Sequence, residues 1–271
     1  SVGNARFPDL VNLARVTPLG EPGLGGRIAV HAHIFYIDLI EEIVAHLRHI
    51  PFTFDLFVST TDESARVACE AVFRKLHRVV RLCVRVTPNR GRDIAPMFCL
   101  FGSELPGYDF IAHIHTKKSL YADGSMLGWR EYLLQQLLGS EEQVRRIFTL
   151  FADDPGLGLV YPQNYWQLPY WGNTWLSNKR LGQEWCQRLG IKDMPEGYFD
   201  YPAGSMFWAR TTGLRALFDA GILLADFPSE IGQADGTLAH CLERLFALSV
   251  RQAGLQTAIV ADPMFPSWSK W

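Results

Sequence analysis

His113-Ile-His-Thr-Lys-Lys-Ser119 follows an apolar run, Phe110-Ile-Ala112, and gathers two lysines, two hydroxyls and two imidazoles in one short stretch. Lys117 and Lys118 are side chains that bind anions, and Thr116 and His115 add hydrogen-bonding groups beside them. On a strand His113 and His115 face the same side, because side chains two apart share a face. Lysine pairs also occur simply as a solvated surface feature. A metal on the two histidines is disfavoured. No Asp-x-Asp or nearby carboxylate supplies hard oxygen ligands, and the lysines repel a cation.

Asn89-Arg-Gly-Arg-Asp93 repeats the basic theme. Arg90 and Arg92 offer forked donors to phosphate or carboxylate, and Gly91 permits a tight turn. Asp93 is placed to cap a following helix, so a solvated turn with a cap is the plain alternative. Thr60 and Asp62 stand after another apolar run, where they suit a base or ribose or, as commonly, a helix N-cap. Gly204 and Ser205 lie in Tyr201-Pro-Ala-Gly-Ser-Met-Phe-Trp-Ala-Arg210, a small-residue turn before large apolar groups that suits a floor under a ligand. Trp166, Tyr170, Trp171 and Trp175 can stack on a sugar or base, or fill a core. Among the acids Glu230, Asp235 and Glu243, a general base is expected at Asp235 first and Glu243 second. A cap at Asp235 and an ion pair from Glu243 to Arg244 are the competing uses.

The periodicity predicts the elements that must hold these residues. Strands are expected at Arg27–His33, Phe54–Ser59, Val79–Val86 and Phe110–His115, with helices at Leu39–His49, Asp62–His77 and Asp93–Phe101 between them. Helices at Trp129–Leu138, Glu141–Phe151, Thr174–Leu189, Thr211–Ala220 and Gly236–Ala247 follow, with strands at Gly158–Tyr161 and Gln256–Val260. Such alternation argues for an α/β fold with a mainly parallel, Rossmann-like sheet covered on both sides. Ligands of open α/β sheets bind beyond the carboxyl ends of the strands, which is where the Asn89 and His115 loops leave. Residues 1–26, rich in Gly and Pro, read as a lead-in. The domain proper is expected over 27–271, with a nucleotide-binding half of about 27–125 and an acceptor half of about 126–271.

At 271 residues, 48% hydrophobic and 20% charged, the chain has the composition of an ordinary globular protein. A net charge of -2 gives no general attraction to nucleic acid, so none is expected as a partner. Five cysteines without metal-type spacing argue against a disulfide framework or zinc site and favour a reducing compartment. No apolar stretch is long enough for a membrane helix. The abrupt start at Ser1 suggests a piece of something longer.

Taken in order, Val30-His-Ala-His-Ile-Phe-Tyr36, Phe54-Asp-Leu-Phe-Val-Ser-Thr-Thr61, Asn89-Arg-Gly-Arg-Asp-Ile-Ala-Pro96, His113-Ile-His-Thr-Lys-Lys-Ser119 with Gly128-Trp-Arg130, and Pro202-Ala-Gly-Ser-Met-Phe-Trp-Ala-Arg210 resemble the rhamnan synthesis F family. The resemblance runs from about Arg27 to about Gly254. It implies a GT-A-like nucleotide-sugar-binding fold and a glycosyltransferase of bacterial surface polysaccharide synthesis. Many GT-A enzymes carry a metal-binding Asp-x-Asp at the end of the fourth strand, where this chain has His115-Thr-Lys-Lys118. That departure implies that side-chain cations replace the metal, so no divalent ion or other cofactor is expected. Lys117, Lys118, His115, Arg90 and Arg92 would bind and neutralise the diphosphate, Thr60 and Asp62 would lie near the nucleoside, and His113, Thr116, Asn89, Gly91 and Asp93 belong to the same substrate-binding set. Gly204, Ser205, Arg130 and Trp171 complete the expected substrate contacts. The implied partners are a nucleotide-sugar donor such as dTDP-L-rhamnose, a glycan or lipid-linked glycan acceptor, and other glycosyltransferase domains of the same polypeptide. The implied place is the cytoplasm, at the inner face of the membrane. The competing readings are a non-catalytic carbohydrate-binding or scaffold domain, and a metal-dependent hydrolase using His113 and His115.

Overall fold

The computed structural model describes residues 9–116, 128–230 and 235–261. The chain runs through β1 (Asp9–Asn12), β2 (Ile28–Ile34), α1 (Ile40–Leu47), β3 (Phe54–Thr60), α2 (Glu63–Phe73), β4 (Val79–Val86) and β5 (Phe110–His115). It continues through α3 (Trp129–Leu138), α4 (Glu141–Asp153), β6 (Leu157–Pro162), α5 (Lys179–Arg188), β7 (Phe207–Arg210), α6 (Arg215–Asp219), α7 (Leu238–Gln252) and β8 (Gln256–Ala261). All eight strands join one sheet in the order β1-β8-β6-β7-β5-β2-β3-β4. Every pairing is parallel except those of β7, which runs against both β5 and β6. The fold is therefore α/β with a mainly parallel, Rossmann-like sheet.

Burial explains the composition of the central strands. Every residue of β2 and of β5 is buried, as expected for strands covered on both faces. Val30, Ala32, Ile34, Ala112 and Ile114 pack with α1 to α4 on one face. On the other, Ala29, Phe57, Ile111 and Phe207 pack with α5 to α7, and α7 is so enclosed that nearly all its residues are buried.

Several boundaries differ from the sequence expectation for local reasons. Part of the supposed lead-in belongs to the sheet, since β1 pairs in parallel with β8 and the neighbouring Leu13 is buried. The helix expected at Asp93–Phe101 is a π-helical turn over Pro96–Leu100, closed by a bond from Phe101 N to the Pro96 carbonyl at 3.2 Å. Proline brings no N–H to an ordinary helical bond, and Asp93 is engaged elsewhere. The helix expected from Thr174 begins only at Lys179, after a 3-10 turn in which Leu176 has φ 46°. The stretches 27–125 and 126–271 share the one sheet, because β5 of the first pairs directly with β7 of the second.

Candidate active site

A reversed strand in a parallel sheet brings its amino end to the rim where its neighbours have their carboxyl ends. The loop before β7 therefore meets the loop after β4 above β5. Their meeting point is Asp93, which is buried and accepts hydrogen bonds at one carboxylate oxygen from Ser205 Oγ and from His113 Nε2, the latter at 3.1 Å. Both loops hold left-handed backbone where they meet: Gly91 at φ 68°, Arg92 at 57°, Gly204 at 88° and Ser205 at 55°. Such conformations cost free energy in non-glycine residues and persist where surrounding structure enforces them, commonly at functional sites.

Glycine is required at two of these positions by space as well as by φ. A Cβ on Gly91 would lie 2.4 Å from Ala95 Cβ and 2.6 Å from the Phe227 ring. One on Gly204 would lie 2.5 Å from Leu133 Cδ1. Arg90 is tied down by an Nε bond to the Phe227 carbonyl and a bridge to Ser229, and Arg92 Nε lies 3.7 Å from Glu230. The two arginines expected at the anion site thus flank the crossing of the loops.

Beneath the crossing lies a set of buried imidazoles. His31 Nδ1 and His113 Nδ1 are 2.9 Å apart, His31 Nε2 is 3.0 Å from Ser59 Oγ, and His33 Nδ1 is 2.8 Å from the same hydroxyl. His115 Nε2 donates to the Gly204 carbonyl at 2.7 Å and lies 4.0 Å from Asp93. The expectation that His113 and His115 share a face is met. Burial, followed by the neighbouring His113 and His33, holds the His31 pKa well below the ordinary histidine value.

Two further carboxylates come from α7 and the turn before it. Glu243 Oε1, on α7, accepts from Gly204 N at 2.7 Å, so this acid is attached to the strained loop itself. Asp235 accepts from Ser177 N at 3.1 Å and from the Asn178 amide at 2.7 Å, with Arg244 3.8 Å away. Burial pushes its pKa up, but the Asn178 amide, Arg244 and backbone N–H groups outweigh this and leave it lowered. Tyr201 sits among these groups under the Arg244 guanidinium, its pKa raised by burial and then by the Glu243 charge.

Several other expected site residues have partners within the fold. Thr60 donates to the Ile34 carbonyl at 2.9 Å, tying β3 to β2, and Asp62 caps α2 through Ala65 N at 2.8 Å. Thr116 Oγ1 accepts from Phe35 N and Tyr36 N at 2.9 and 3.0 Å, bracing the loop after β2. Arg130 binds Glu42 at 2.8 Å and so joins α3 to α1. Asn89 is exposed at the start of its loop, and Trp171 is exposed while Trp175 is buried. Lys117 and Lys118 lie outside the described residues.

His31, His33 and Ser59 were not singled out as site residues from the sequence. A signal for them exists: His-x-His occurs with the same parity in two apolar strands, His31-Ala-His33 and His113-Ile-His115. The strands prove adjacent, with His31 opposite His113 and His33 opposite His115. Among the described residues no group of three or more His, Cys, Asp or Glu side chains is arranged to hold a metal ion.

A family model described as rhamnan synthesis protein F matches residues 3–254. The chain belongs to that family. Two curated relatives, each named uncharacterized protein WxcX and found in two strains of Xanthomonas campestris pv. campestris, are 31% identical to it over 233 residues. That match covers 86% of this chain and 32% of theirs, so the chain spans about a third of their length. Among solved structures, the mannosyltransferase Ktr4p of S. cerevisiae aligns with a TM-score of 0.41 at 11% identity, covering 79% of this chain and 66% of that one. No described helix is long and apolar enough to cross a membrane.

Proposed function

We propose that this chain is a GT-A-like glycosyltransferase domain that moves L-rhamnose, or a related deoxysugar, from a nucleotide donor to a growing bacterial surface polysaccharide. The observation that carries the reading is the convergence at Asp93 of two loops in left-handed conformation, one carrying Arg90 and Arg92 and the other bonded through Gly204 to Glu243. A basic loop opposite a carboxylate suits a displacement in which negative charge develops on one side and a proton is released on the other.

The reaction is a single displacement with inversion. The acceptor hydroxyl oxygen bonds to the anomeric carbon, and the bond from that carbon to the phosphate oxygen breaks. The electron pair departs with the nucleoside diphosphate, and a carboxylate takes the hydroxyl proton. Glu243 is favoured as this base because it is fastened to the Gly204 loop beside Asp93. Asp235, whose two oxygens accept from Asn178 and Ser177, is the second choice. The diphosphate is met by Arg90 and Arg92, with Lys117 and Lys118 continuing the chain from Thr116. A β-linked donor such as dTDP-L-rhamnose then gives an α-linked product. The acceptor is a glycan or lipid-linked glycan, handled at the cytoplasmic face of the membrane alongside other transferase domains of the same polypeptide.

A panel of nucleotide sugars offered with a rhamnan-type acceptor, read by product mass and anomeric NMR, tests this. An α-linked rhamnosyl product formed equally well in a chelator supports every part. Product of retained configuration would overturn the single displacement, and activity restored only by a divalent ion would overturn the metal-free step. Nucleotide-sugar binding without transfer in any pairing would favour a non-catalytic glycan-binding domain.

A further inference from the structure

The segment from Gln163 to Asn178 has no charged side chain, in a chain that is 20% charged, and it carries five amides and five aromatic rings. Amides both donate to and accept from hydroxyls, and aromatic faces lie against C–H surfaces. That combination suits a neutral polyol with apolar ring faces, and it offers no cation to a phosphate or a lipid headgroup. The rings divide by burial. Tyr165 and Trp175 are 7% and 2% exposed, and Trp175 Nε1 donates to the Pro195 carbonyl at 2.8 Å. Trp166, Tyr170 and Trp171 are 45%, 68% and 57% exposed. Two rings anchor the segment and three stand at the surface, where solvent-facing apolar area commonly marks a contact site.

The exposed rings stand on a braced backbone. Gly172 N donates to the Pro169 carbonyl at 2.9 Å, Asn173 N to the Tyr170 carbonyl at 3.1 Å, and Thr174 Oγ1 to the Trp171 carbonyl at 2.8 Å. The same turn is pinned to the candidate site. Tyr201 Oη donates to the Gly172 carbonyl at 2.8 Å, and Arg244 Nε donates to the Thr174 carbonyl at 2.7 Å. Arg244 follows Glu243 on α7, and Ser177 N and the Asn178 amide hold Asp235. The aromatic turn is therefore bonded to the helix of one candidate base and its continuation to the other base directly.

We propose that Tyr170 and Trp171 form a stacking platform for the acceptor glycan, binding sugar rings beyond the one that receives the transferred unit. The two rings lie 5.6 Å apart with their planes at 80°. Planes so inclined do not both lie flat on one surface such as a bilayer, whereas successive sugars of a glycan turn relative to one another and present faces at changing angles. The occupant is a run of neutral pyranose rings. Calling it the acceptor rests on the transferase reading, in which the carboxylate held beside the turn takes the acceptor proton. The binding of a glycan to the platform rests on the turn alone.

Calorimetry of the full chain with α-linked rhamnose oligosaccharides, from the monosaccharide to the hexasaccharide, tests the platform. Affinity is expected to rise with length. Tyr170→Ala/Trp171→Ala should weaken hexasaccharide binding by about tenfold or more and monosaccharide binding much less. Tyr170→Phe/Trp171→Phe, which keeps aromatic faces at both positions, should recover most of the loss. Equal affinity at every length, absence of glycan binding in wild type, or a hexasaccharide affinity indifferent to the alanine changes would each overturn the platform. So would vesicles of anionic phospholipid that bind wild type and not the alanine variant, since the patch would then serve a membrane. Transfer assays separate the two readings. In the alanine variant KM for the hexasaccharide is expected to rise more than KM for the monosaccharide, with the effect falling on KM more than on kcat. A length-dependent affinity lost in that variant, in a protein that transfers no sugar, supports the platform and counts against the transferase reading. Transfer with KM raised equally at every length keeps the transferase reading and overturns the platform.

Discussion

The two faces of one strand set out the division of labour in this protein. β2 sends Val30, Ala32 and Ile34 into the apolar cluster formed with α1 to α4, and His31 and His33 to the opposite face. β5 does the same with Ala112 and Ile114 against His113 and His115. Both faces are equally buried, yet only one carries groups that are expensive to bury without partners. On the apolar face, burial itself is stabilising and any side chain of suitable volume serves. On the polar face each group must find a partner of the right donor or acceptor type, so its residues are specified one by one. The first face holds the sheet together, and the second builds the site.

The largest effect that would break this comparison lies at the rim of the polar face. Glu243→Gln should lower the transfer rate by roughly 100-fold to 10,000-fold, the range of a lost general base, while shifting the melting temperature little. A rate within a few-fold of wild type would move the role to Asp235. Next comes the apolar face. Ile34→Ala should cost about 2–5 kcal/mol of unfolding free energy in a denaturant titration, as a buried truncation does, and leave the turnover of the folded fraction unchanged. If turnover falls in proportion to stability, the faces are not separable.

A smaller effect concerns pH. The folded pKa of His31 lies below its ordinary value of 6.5, so the unfolded chain takes up a proton that the fold refuses as pH drops beneath that value. The stability contributed by neutral His31 is present above 6.5 and is lost progressively as pH falls toward the folded value. The melting temperature should therefore decline between about pH 7 and about pH 5, with a shallower decline in His31→Gln and the wild-type slope retained in Ile34→Val. Equal slopes in all three would remove His31 from the account. The smallest expected effect is at Asp62→Ala, which should cost about 1 kcal/mol as a lost helix cap with nucleotide affinity unaltered. A fall in affinity would favour a place for Asp62 at the nucleoside site.

Much of the scaffold was legible because its strands are short, strongly apolar and separated by capped helices. Val79–Val86 and Phe110–His115 coincide with the strands expected there. The four-residue strands were not legible as pairings: Asp9–Asn12 hides in a Gly- and Pro-rich stretch, and nothing local to Phe207–Arg210 tells that it runs antiparallel. At the site, the basic loop and the Gly-Ser turn were each recognisable from composition. Their meeting was not, because Asp93 and Ser205 are 112 positions apart and joined only through the sheet order. Asp93 reads locally as a helix cap, and that use loses to a buried imidazole and a hydroxyl.

The reversal of β7 has a consequence for how members of this family can diverge. Its pairings with β5 and β6 pin Phe207–Arg210 in place, so residues added or removed upstream change the reach of the Gly204 loop without shifting any strand register. The strand then works like the fixed jaw of an adjustable wrench: the sheet sets the handle, and loop length sets the gauge. Under the proposed function, change in the size or linkage of the sugar accepted is expected to map to length variation just before Gly204, while the buried polar groups below it stay as they are.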